Sequence, residues 1–442
     1  MTAMLILPEW MITKAPLAPL RNWGVRIEDG IITHLGSHEE LRQSHPDIDI
    51  LEAPNQVLSP GFVNAHTHLY GVLAHGIPLE KAPEGFWPFL SEFWWPMVED
   101  RIDHQMLRSA IPWQCSQMIK SGVTSFYDCL EAPNSLPGCL KLEAEIVEHF
   151  GQRAILSFEA TGRVSPENAG MGLHENVEFT RERKRNDGLV QGLVCFHTTF
   201  TCDEKLILRA FELAAELDCL VHMHCSEGTY EPEMMLKKNG KRPIELYYEL
   251  GVAGERMLAS QCVQLSPREI NIIAESGIRV VHMPLSNCEV GGGIAPIPQL
   301  LAQGVTVGLG SDSYIDNFFE VMRGAFLIHK ANRQDPRVMP AGQVWKLATI
   351  GGAQALKLKN VGCIQPGWQA DLQLIDVDFP TPCGEWNLYD QLILYRNPQS
   401  VRMVMTAGRI LYQNGNLSYG DEVKMRNDLL VQANRLWEKA QK

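Results

Sequence analysis

Short apolar runs alternate with helical stretches from about residue 61 to residue 365, and this rhythm constrains the fold of the 442-residue chain more than any other feature. The apolar runs include residues 122–128, 154–158, 189–196, 220–224 and 280–285. Between such runs, residues 204–217 carry apolar side chains at helical spacing, and the segment 266–269, Ser-Pro-Arg-Glu, combines an N-cap with a capping-box glutamate. About eight strand–helix units fit this region, which favours a closed (β/α)8 barrel over an open doubly wound sheet.

Both ends of the chain have a different, β-rich pattern. Near the start, Asp29-Gly30 separates two apolar runs and is a favoured two-residue hairpin turn. Near the end, residues 370–375, 401–405 and 409–412 form similar runs. We therefore predict an α/β protein in which residues 61–365 form a TIM-type barrel. Residues 1–60 and 366–442 are expected to form a small composite β-sandwich domain that includes a C-terminal helix.

Composition narrows the possible partners. The formal net charge of −13 disfavours nucleic acid, because phosphate contacts need concentrated Lys and Arg. No apolar run approaches the roughly 18 residues of a membrane-spanning helix, and the N-terminus lacks the basic start of a signal peptide. The eleven cysteines include no Cys-x-x-Cys pair, and Gly291-Gly292-Gly293 lacks the spacing of a nucleotide-binding loop. We expect a cytoplasmic protein with no nucleic-acid or membrane partner.

Two pairs of histidines follow apolar runs of the barrel region. His66 and His68 are two residues apart, so on a strand they face the same side and their imidazoles converge on one metal ion. The spacing alone fits two unrelated histidines equally well. In the second pair, His224 is the better ligand because Glu227 follows it closely as a candidate proton shuttle. His222 fits equally well as a hydrogen-bonded filler of the barrel interior.

A carboxylate completes the candidate metal site. Asp312 follows the run 305–310, where the eighth barrel strand should end, although an isolated aspartate there is usually a helix cap or loop hydrogen-bonder. With His66, His68 and His224 it suits one divalent ion, zinc first and iron as the alternative, with a position left for water. Such an ion lowers the pKa of bound water from about 15.7 towards about 7. Asp312 is expected to accept the proton of that water, and Glu227 to carry it to the leaving group.

These residues resemble the aminohydrolase branch of the amidohydrolase superfamily, which includes guanine, cytosine, S-adenosylhomocysteine and triazine deaminases or chlorohydrolases. The similarity runs from residue 1 to about residue 415. Its motifs are Pro60-Gly61-Phe62-Val63-Asn64-Ala65-His66-Thr67-His68, His224-x-x-Glu227, His282-Met283-Pro284-Leu285-Ser286-Asn287-Cys288, Gly308-Leu309-Gly310-Ser311-Asp312 and Gly367-Trp368-Gln369-Ala370-Asp371-Leu372. The resemblance implies a barrel joined to a sandwich that both termini build.

The resemblance also implies a mononuclear site, because the fourth-strand region Cys195-Phe196-His197-Thr198 lacks the carboxylated lysine of dinuclear relatives. His197 resembles the histidine that contacts substrate in this branch, with a structural hydrogen bond as the alternative. Within the branch, Phe158-Glu159-Ala160-Thr161-Gly162-Arg163 and Trp94-Trp95 are similar to aminohydrolases associated with selenium-dependent purine or xanthine catabolism. A homodimer is implied as well.

One position departs from the family pattern. The sixth strand of relatives carries a histidine near the attacked atom, whereas this chain has Gln261, which hydrogen-bonds but cannot become cationic. Ordinary deamination is thereby put in doubt. We hypothesise that His282, on the next strand, compensates by polarising the substituent of the attacked carbon.

The substrate pocket is predicted from aromatic density in the loop after the first strand. A flat heterocycle could stack on the rings of this loop, although core packing is an alternative for several of them. The rings are those of Trp87, Phe89, Phe93, Trp94 and Trp95. Glu80, Glu84 and Arg163 are candidate polar contacts.

The leading functional interpretation is hydrolytic deamination of an aminated N-heterocycle, such as a purine, pterin or triazine, through metal-bound hydroxide. A rival uses the same site to expel chloride or an alkylamine, or to open a ring amide. A catalytically inert ligand-binding barrel is a third interpretation, and the intact set of ligands argues against it.

Overall fold

The computed structural model describes residues 3–186, 188–313 and 315–440. In this part of the chain, nine parallel strands form one sheet: eight pair in order around the barrel, and a ninth, Val190–Gly192, pairs off this path with Arg153–Ala160. Barrel strands 1 to 8 are Phe62–Thr67, Val123–Leu130, Arg153–Ala160, Val194–Phe196, Val221–Cys225, Met257–Gln261, Arg279–His282 and Val307–Leu309. Past the end of strand 8, the backbone N–H groups of Ser311 and Asp312 donate to the carbonyl of His66 at 3.0 and 3.1 Å, which joins strand 8 to strand 1. The predicted (β/α)8 barrel is confirmed.

Helices cover the barrel strands, whose residues are almost entirely buried, as expected for a parallel sheet covered on both faces. The α-helices of the described residues are His38–Ser44, Phe86–Pro88, His104–Lys120, Cys139–Phe150, Pro166–Arg183, Glu204–Glu216, Tyr230–Asn239, Pro243–Glu249, Pro267–Ser276, Pro284–Glu289, Ile297–Ala302, Phe318–Arg333, Ala341–Lys346, Gly352–Ala355, Leu388–Tyr395 and Glu422–Ala440. π-Helical segments are Phe89–Val98 and Leu347–Gly351, and 3-10 segments are Leu69–Ala74, Glu99–Arg101, Pro133–Ser135 and Pro398–Ser400. None of the helices described is long and apolar enough to cross a membrane.

A second, mixed sheet is built from both ends of the chain. Its nine strands are Met4–Met11, Leu20–Arg21, Trp23–Glu28, Ile31–Ser37, Asp49–Pro60, Leu372–Asp376, Val401–Thr406, Arg409–Gln413 and Asn416–Leu417. The termini meet where Asp49–Pro60 pairs with Leu372–Asp376 in antiparallel register. Asp29 and Gly30 both have positive φ, at 50° and 79°, as a tight hairpin turn requires. The division into a composite domain of residues 1–60 and 366–442 and a barrel domain of residues 61–365 stays a prediction.

Local signals placed most elements correctly, although the apolar run 189–196 forms two short strands, Val190–Gly192 and Val194–Phe196, rather than one. Ser266 Oγ accepts from Glu269 N and the Glu269 carboxylate accepts from Ser266 N, which completes the predicted capping box. Strand 7, by contrast, stops at His282, and residues 284–289 form a helix because Pro284 fits a first helical turn. The run 280–285 is therefore not one strand.

The C-terminal helix Glu422–Ala440 lies against the barrel side of the molecule. Trp437 Nε1 donates to the carbonyl of Leu73 at 2.8 Å, and Arg435 Nη1 donates to Asp103 at 3.2 Å. The helix thus holds the segment after strand 1, which carries part of the candidate site.

Candidate active site

Three imidazoles meet at the carboxyl ends of barrel strands 1 and 5. His66 and His68 follow one another around the end of strand 1, and His224 lies near the end of strand 5. The ring centroids are 4.9 Å apart for His66 and His68, 5.0 Å for His66 and His224, and 5.4 Å for His68 and His224. All three side chains are buried. The structure brings the three predicted histidine ligands together.

Asp312 joins them from the end of strand 8. Its Oδ1 lies 2.9 Å from His66 Nε2 and 3.2 Å from His68 Nε2. This approach requires a glycine in the preceding backbone, because a Cβ on Gly310 would lie 2.9 Å from the Cβ of His66. The predicted carboxylate therefore faces the same nitrogen atoms that would bind a metal ion.

The Nδ1 atoms of His68 and His224 face other groups of the protein rather than Asp312. His68 Nδ1 donates to the carbonyl of Cys129 at 2.7 Å, which leaves its Nε2 as the lone-pair nitrogen. His224 Nδ1 lies 2.9 Å from Glu159 Oε1. Cys129 Sγ lies 3.6 Å from His68 Nδ1 and 3.9 Å from His66 Nδ1, so its thiol is close to the three histidines and is a further potential ligand. Three imidazole nitrogens and one carboxylate oxygen, with no Lys or Arg between them in the described structure, fit a divalent ion.

Gln261 contacts Asp312 from strand 6. Its Nε2 donates to Asp312 Oδ2 at 2.9 Å, and Ser286 Oγ donates to the same oxygen at 2.6 Å. Asn287 Nδ2 in turn donates to Gln261 Oε1. The residue that departs from the family pattern thus orients a proposed metal ligand, while its side chain also lines the cavity described below.

Strained backbone is concentrated at these strand ends. Ser226, Gln261, Cys262, Asp312 and Ser313 all have positive φ, between 50° and 71°, although none is glycine. Such conformations cost about 1–3 kcal/mol each and persist only where the surrounding structure enforces them. They turn the ends of strands 5, 6 and 8 towards one point.

Two further histidines lie outside the metal cluster. His222 is fully buried, its Nδ1 is 3.3 Å from Cys195 Sγ and its ring packs on Tyr127, so it fills the barrel interior. His282 is also fully buried, with its Nε2 3.0 Å from His329 Nε2. Burial, and then the nearby His329, lower the pKa of His282 well below its usual value. The structure does not bring His282 to the cavity, so the hypothesis that it polarises the substrate has no geometric support.

A cavity of about 280 Å³ opens above the four candidate ligands. It is lined by His68, Ala74, His75, Gly76, Phe86, Phe89, Leu90, Phe93, Trp94, Glu99, Glu131, Glu159, His197, His224, Glu227, Gln261, Ser286, Glu289, Val290, Asp312 and Ser313. The lining includes the predicted shuttle Glu227 and the predicted substrate contact His197. Burial, and then the charge of Asp312, raise the pKa of Glu227 well above its usual value.

The predicted aromatic contacts divide into two groups. Phe89, Phe93 and Trp94 line the cavity, and Phe86 joins them. Trp87 does not line it: its ring stacks on Tyr230, with centroids 4.0 Å apart. Trp95 lies outside the lining too, against the guanidinium of Arg163 at 5.0 Å. Glu80 and Glu84 are exposed and likewise lie outside it.

Arg163 lies behind the cavity wall in a buried ionic cluster. It donates to Glu99 at 3.0 Å, to Asp100 at 2.8 Å and to Glu131, and Tyr70 donates to Glu99 at 2.8 Å. Burial raises the pKa of Glu131 to about 7, against the opposing effect of Arg163. Sequence reasoning treated Arg163 as a substrate contact, whereas the structure assigns it to holding two cavity carboxylates in place.

Replacing Arg163 by Met is therefore expected to lower the free energy of unfolding by about 3 kcal/mol at neutral pH, since buried carboxylates lose their cation. Glu131 already has a folded-state pKa above its unfolded value, so it binds protons more readily in the folded state. Stability from such a group is present at low pH and is lost as the pH rises through the folded pKa. Urea unfolding should thus show a larger loss at about pH 8 than at about pH 5. Arg181→Met, at an exposed site, is the control, and an equal loss at both pH values would contradict this account.

Known proteins match this chain along most of its length. The Amidohydrolase family model matches residues 57–411. A 5-methylthioadenosine/S-adenosylhomocysteine deaminase of Desulforamulus reducens is 32% identical over 429 residues, covering 96% of this chain and 96% of that protein. A 5'-deoxyadenosine deaminase of Methanopyrus kandleri is 28% identical over 421 residues, covering 93% and 94%. The solved structure of an adenosine deaminase from Xanthomonas campestris, with bound zinc, has a TM-score of 0.85 at 24% identity and covers 100% of this chain and 99% of that one.

These matches agree with the expected aminohydrolase branch, while the closer likeness to selenium-associated aminohydrolases stays a prediction. The span that the family model matches contains all four candidate metal ligands and the shuttle glutamate. The chain belongs to the amidohydrolase family.

Proposed function

We propose that this protein is a metal-dependent hydrolytic deaminase of an aminated N-heterocycle such as a purine, a pterin or a triazine. The observation that carries the proposal is the meeting of three imidazoles and Asp312 at one end of a cavity that Glu227 also lines. The two deaminases that match nearly the whole chain support the reaction class.

We propose zinc as the metal, with iron as the alternative, and the zinc in the Xanthomonas campestris structure supports this choice. His66, His68, His224 and Asp312 would hold it. When bound, a zinc ion polarises a water molecule and lowers its pKa, so that the water attacks carbon at neutral pH.

Two carboxyl groups of the chain can then move protons. Gln261 and Ser286 donate to Asp312 Oδ2, which fixes the carboxylate beside the attacking water so that it can take up a proton. Glu227 is well suited to hold a proton at neutral pH, because burial raises its pKa. It lines the cavity and can hand that proton to the departing nitrogen. His197 Nδ1 lies 2.9 Å from Thr201 Oγ1, which leaves Nε2 for contact with the substrate.

The charge of the cavity narrows the substrate further. No Lys or Arg is among the lining residues that the structure describes, whereas six carboxyl side chains are: Glu99, Glu131, Glu159, Glu227, Glu289 and Asp312. Burial raises the pKa of five of these groups, all except Asp312, so an anionic substituent placed among them would raise their pKa values further and would find no cationic side chain in the described lining. The cavity is also lined by the aromatic rings of Phe86, Phe89, Phe93 and Trp94. The cavity therefore suits a flat neutral or cationic ring with several N–H donors, and it disfavours an anionic substituent.

Ammonia release by the zinc-loaded protein tests the proposal across adenosine, guanine, a pterin and melamine. We expect turnover of at least one compound. An analogue with an added phosphate or carboxylate, such as AMP beside adenosine, should have a kcat/KM lower by about tenfold or more, since its charge is repelled. Release of chloride or alkylamine from substituted triazines, without any ammonia, would instead favour the rival hydrolysis. Faster turnover of the anionic analogue would contradict the charge argument.

We also propose a cytoplasmic homodimer. All eleven cysteines are free, which fits a reducing compartment. Trp386 and Tyr395, at the two ends of one helical segment, are 74% and 58% exposed, and aromatic side chains are enriched at protein interfaces. Light scattering of purified protein measures the oligomeric state.

A further inference from the structure

A second cavity, of about 560 Å³, lies at the end of the barrel opposite the candidate active site. Its walls include Ile155 at the start of strand 3, and Leu193 and Leu220 immediately before strands 4 and 5. These are the amino ends of the strands, whereas the metal ligands lie at the carboxyl ends. In barrel enzymes the amino-terminal face has no part in the chemistry. Any ligand of this cavity would act apart from the catalytic centre.

Cationic side chains dominate this cavity. Among the lining residues that the structure describes, six side chains are cationic and one, that of Asp218, is acidic. The six are Arg153, Arg183, Lys184, Arg256, Lys357 and Lys359. This concentration occurs in a chain whose formal net charge is −13, so it does not reflect a generally basic surface.

Two of the six cations are neutralised from outside the lining. Arg153 Nε donates to Asp371 at 2.8 Å, and Arg183 Nη1 donates to Glu148 at 2.6 Å. These two arginines are buried and serve structural ion pairs. They are not available as the main ligands of a bound molecule.

The other four cations share one acidic side chain. Arg256 pairs with Asp218 at 3.0 Å, and Lys184 Nζ reaches only the backbone carbonyl of that residue. Lys357 and Lys359 make no hydrogen bond or ion pair with the described residues. Both side chains are exposed, and no described residue occupies their ammonium groups, so these groups are accessible to a ligand.

Like charges surround Lys357. Burial, and then Arg279 and Arg256, lower the pKa of Lys357, and Glu255 and Asp218 oppose this only in part. Repulsion between several cations around one cavity raises the free energy of the folded protein, and a bound anion would offset this repulsion. The charge pattern and the cavity point to the same kind of ligand.

We propose that this cavity binds an organic phosphate. Lysine ammonium groups are compact, mobile point charges that suit a phosphate, and here Lys184, Lys357 and Lys359 supply them. The volume exceeds that of one phosphate ion and falls within the roughly 300–1,000 Å³ of small-molecule sites. The apolar wall formed by Leu193, Leu220 and Val361 accommodates the carbon skeleton.

Calorimetric titration with ribose 5-phosphate, inorganic phosphate and ribose tests this proposal on the zinc-loaded full chain. The variant K184A/K357A/K359A removes the free cations, none of which belongs to the catalytic site. The control K141A/K205A/K237A removes the same charge from exposed positions elsewhere. We expect ribose 5-phosphate to bind the wild type and the control with similar Kd. Its Kd for the cavity variant should be higher by about tenfold or more.

Each probe distinguishes one part of the proposal. Tighter binding of ribose 5-phosphate than of inorganic phosphate supports an organic phosphate, and equal binding of the two would overturn the organic part. Binding of unphosphorylated ribose with the same affinity would overturn the role of the phosphate. The site itself is rejected if ribose 5-phosphate does not bind, or if it binds wild type and cavity variant equally. A melting temperature of the cavity variant without ligand that equals or exceeds that of the wild type verifies that its fold is intact, since removing like charges relieves their repulsion.

Discussion

Glu227→Gln is expected to lower kcat for ammonia release by about 10³-fold, within the range that positioned acid–base groups contribute. Glutamine keeps the size and polarity of the side chain but cannot deliver a proton to the departing nitrogen. Glu227 lines the cavity and is absent from the cluster of candidate metal-binding groups, so the bound metal should be unchanged. KM should change little, because the proton is needed in the transition state rather than in binding.

Glu233→Gln is the matched control, since it makes the same chemical change at an exposed position on the next helix. It should retain wild-type kcat. Steady-state ammonia release and metal analysis on the same preparations separate a lost proton donor from a lost metal. If E227Q kept more than about a tenth of the wild-type kcat, Glu227 would not be the main proton carrier.

The clustering of the candidate metal ligands could be predicted because each lies at or just past the end of a recognisable strand. His66 and His68 share a face through the two-residue period of a strand, and Asp312 follows a run of small and apolar residues. Barrel geometry then brings strands 1, 5 and 8 to one end without further information. What one sequence could not supply is the orientation of the rings: His68 Nδ1 donates to the Cys129 carbonyl on strand 2, and His224 Nδ1 faces Glu159 on strand 3 at 2.9 Å.

The roles of residues whose partners lie far away in the sequence were harder to predict. Glu159 and Glu131 line the cavity, yet each is a single carboxylate at or just past a strand end, with no local pattern to distinguish it. His282 was expected near the substrate, but its partner His329 lies 47 positions away on a later helix. Trp87 was expected to stack on the substrate, and instead it stacks on Tyr230, from the helix after strand 5. Such pairings depend on tertiary contacts that periodicity does not encode.

Gln261 illustrates how the structure changes the meaning of a departure from a family pattern. In the sequence, Gln261 stands where relatives have a histidine, so a side chain that can become cationic is missing there. In the structure it is a donor to Asp312, and Asn287 holds its amide in the required orientation. Hydrogen bonding to the charged form of a carboxylate favours that form, so Gln261 helps to keep Asp312 ionised and aimed at the metal position. The substitution is thus compatible with an intact metal centre.

Removal of the metal ion is expected to lower ammonia release by about 10³-fold or more, because the ion is what would lower the pKa of the attacking water towards neutrality. The protein should stay folded without it, since Asp312 Oδ1 forms a direct hydrogen bond with His66 Nε2 at 2.9 Å. The melting temperature should nevertheless rise when metal is added, because a ligand present at 100 times its Kd adds about 2.7 kcal/mol to the unfolding free energy.

The ligand variant His224→Ala separates this expectation from a general effect of chelators. It should bind metal weakly and lose both the activity and the thermal stabilisation by zinc. His174→Ala changes an exposed histidine on a barrel helix and should behave as wild type in both measurements. Activity that survives exhaustive chelation, with metal content below about one tenth per chain, would rule out a metal-dependent reaction. Restoration by zinc but not by ferrous iron, measured anaerobically, would favour zinc as the working ion, since the same nitrogen and oxygen ligands accept both.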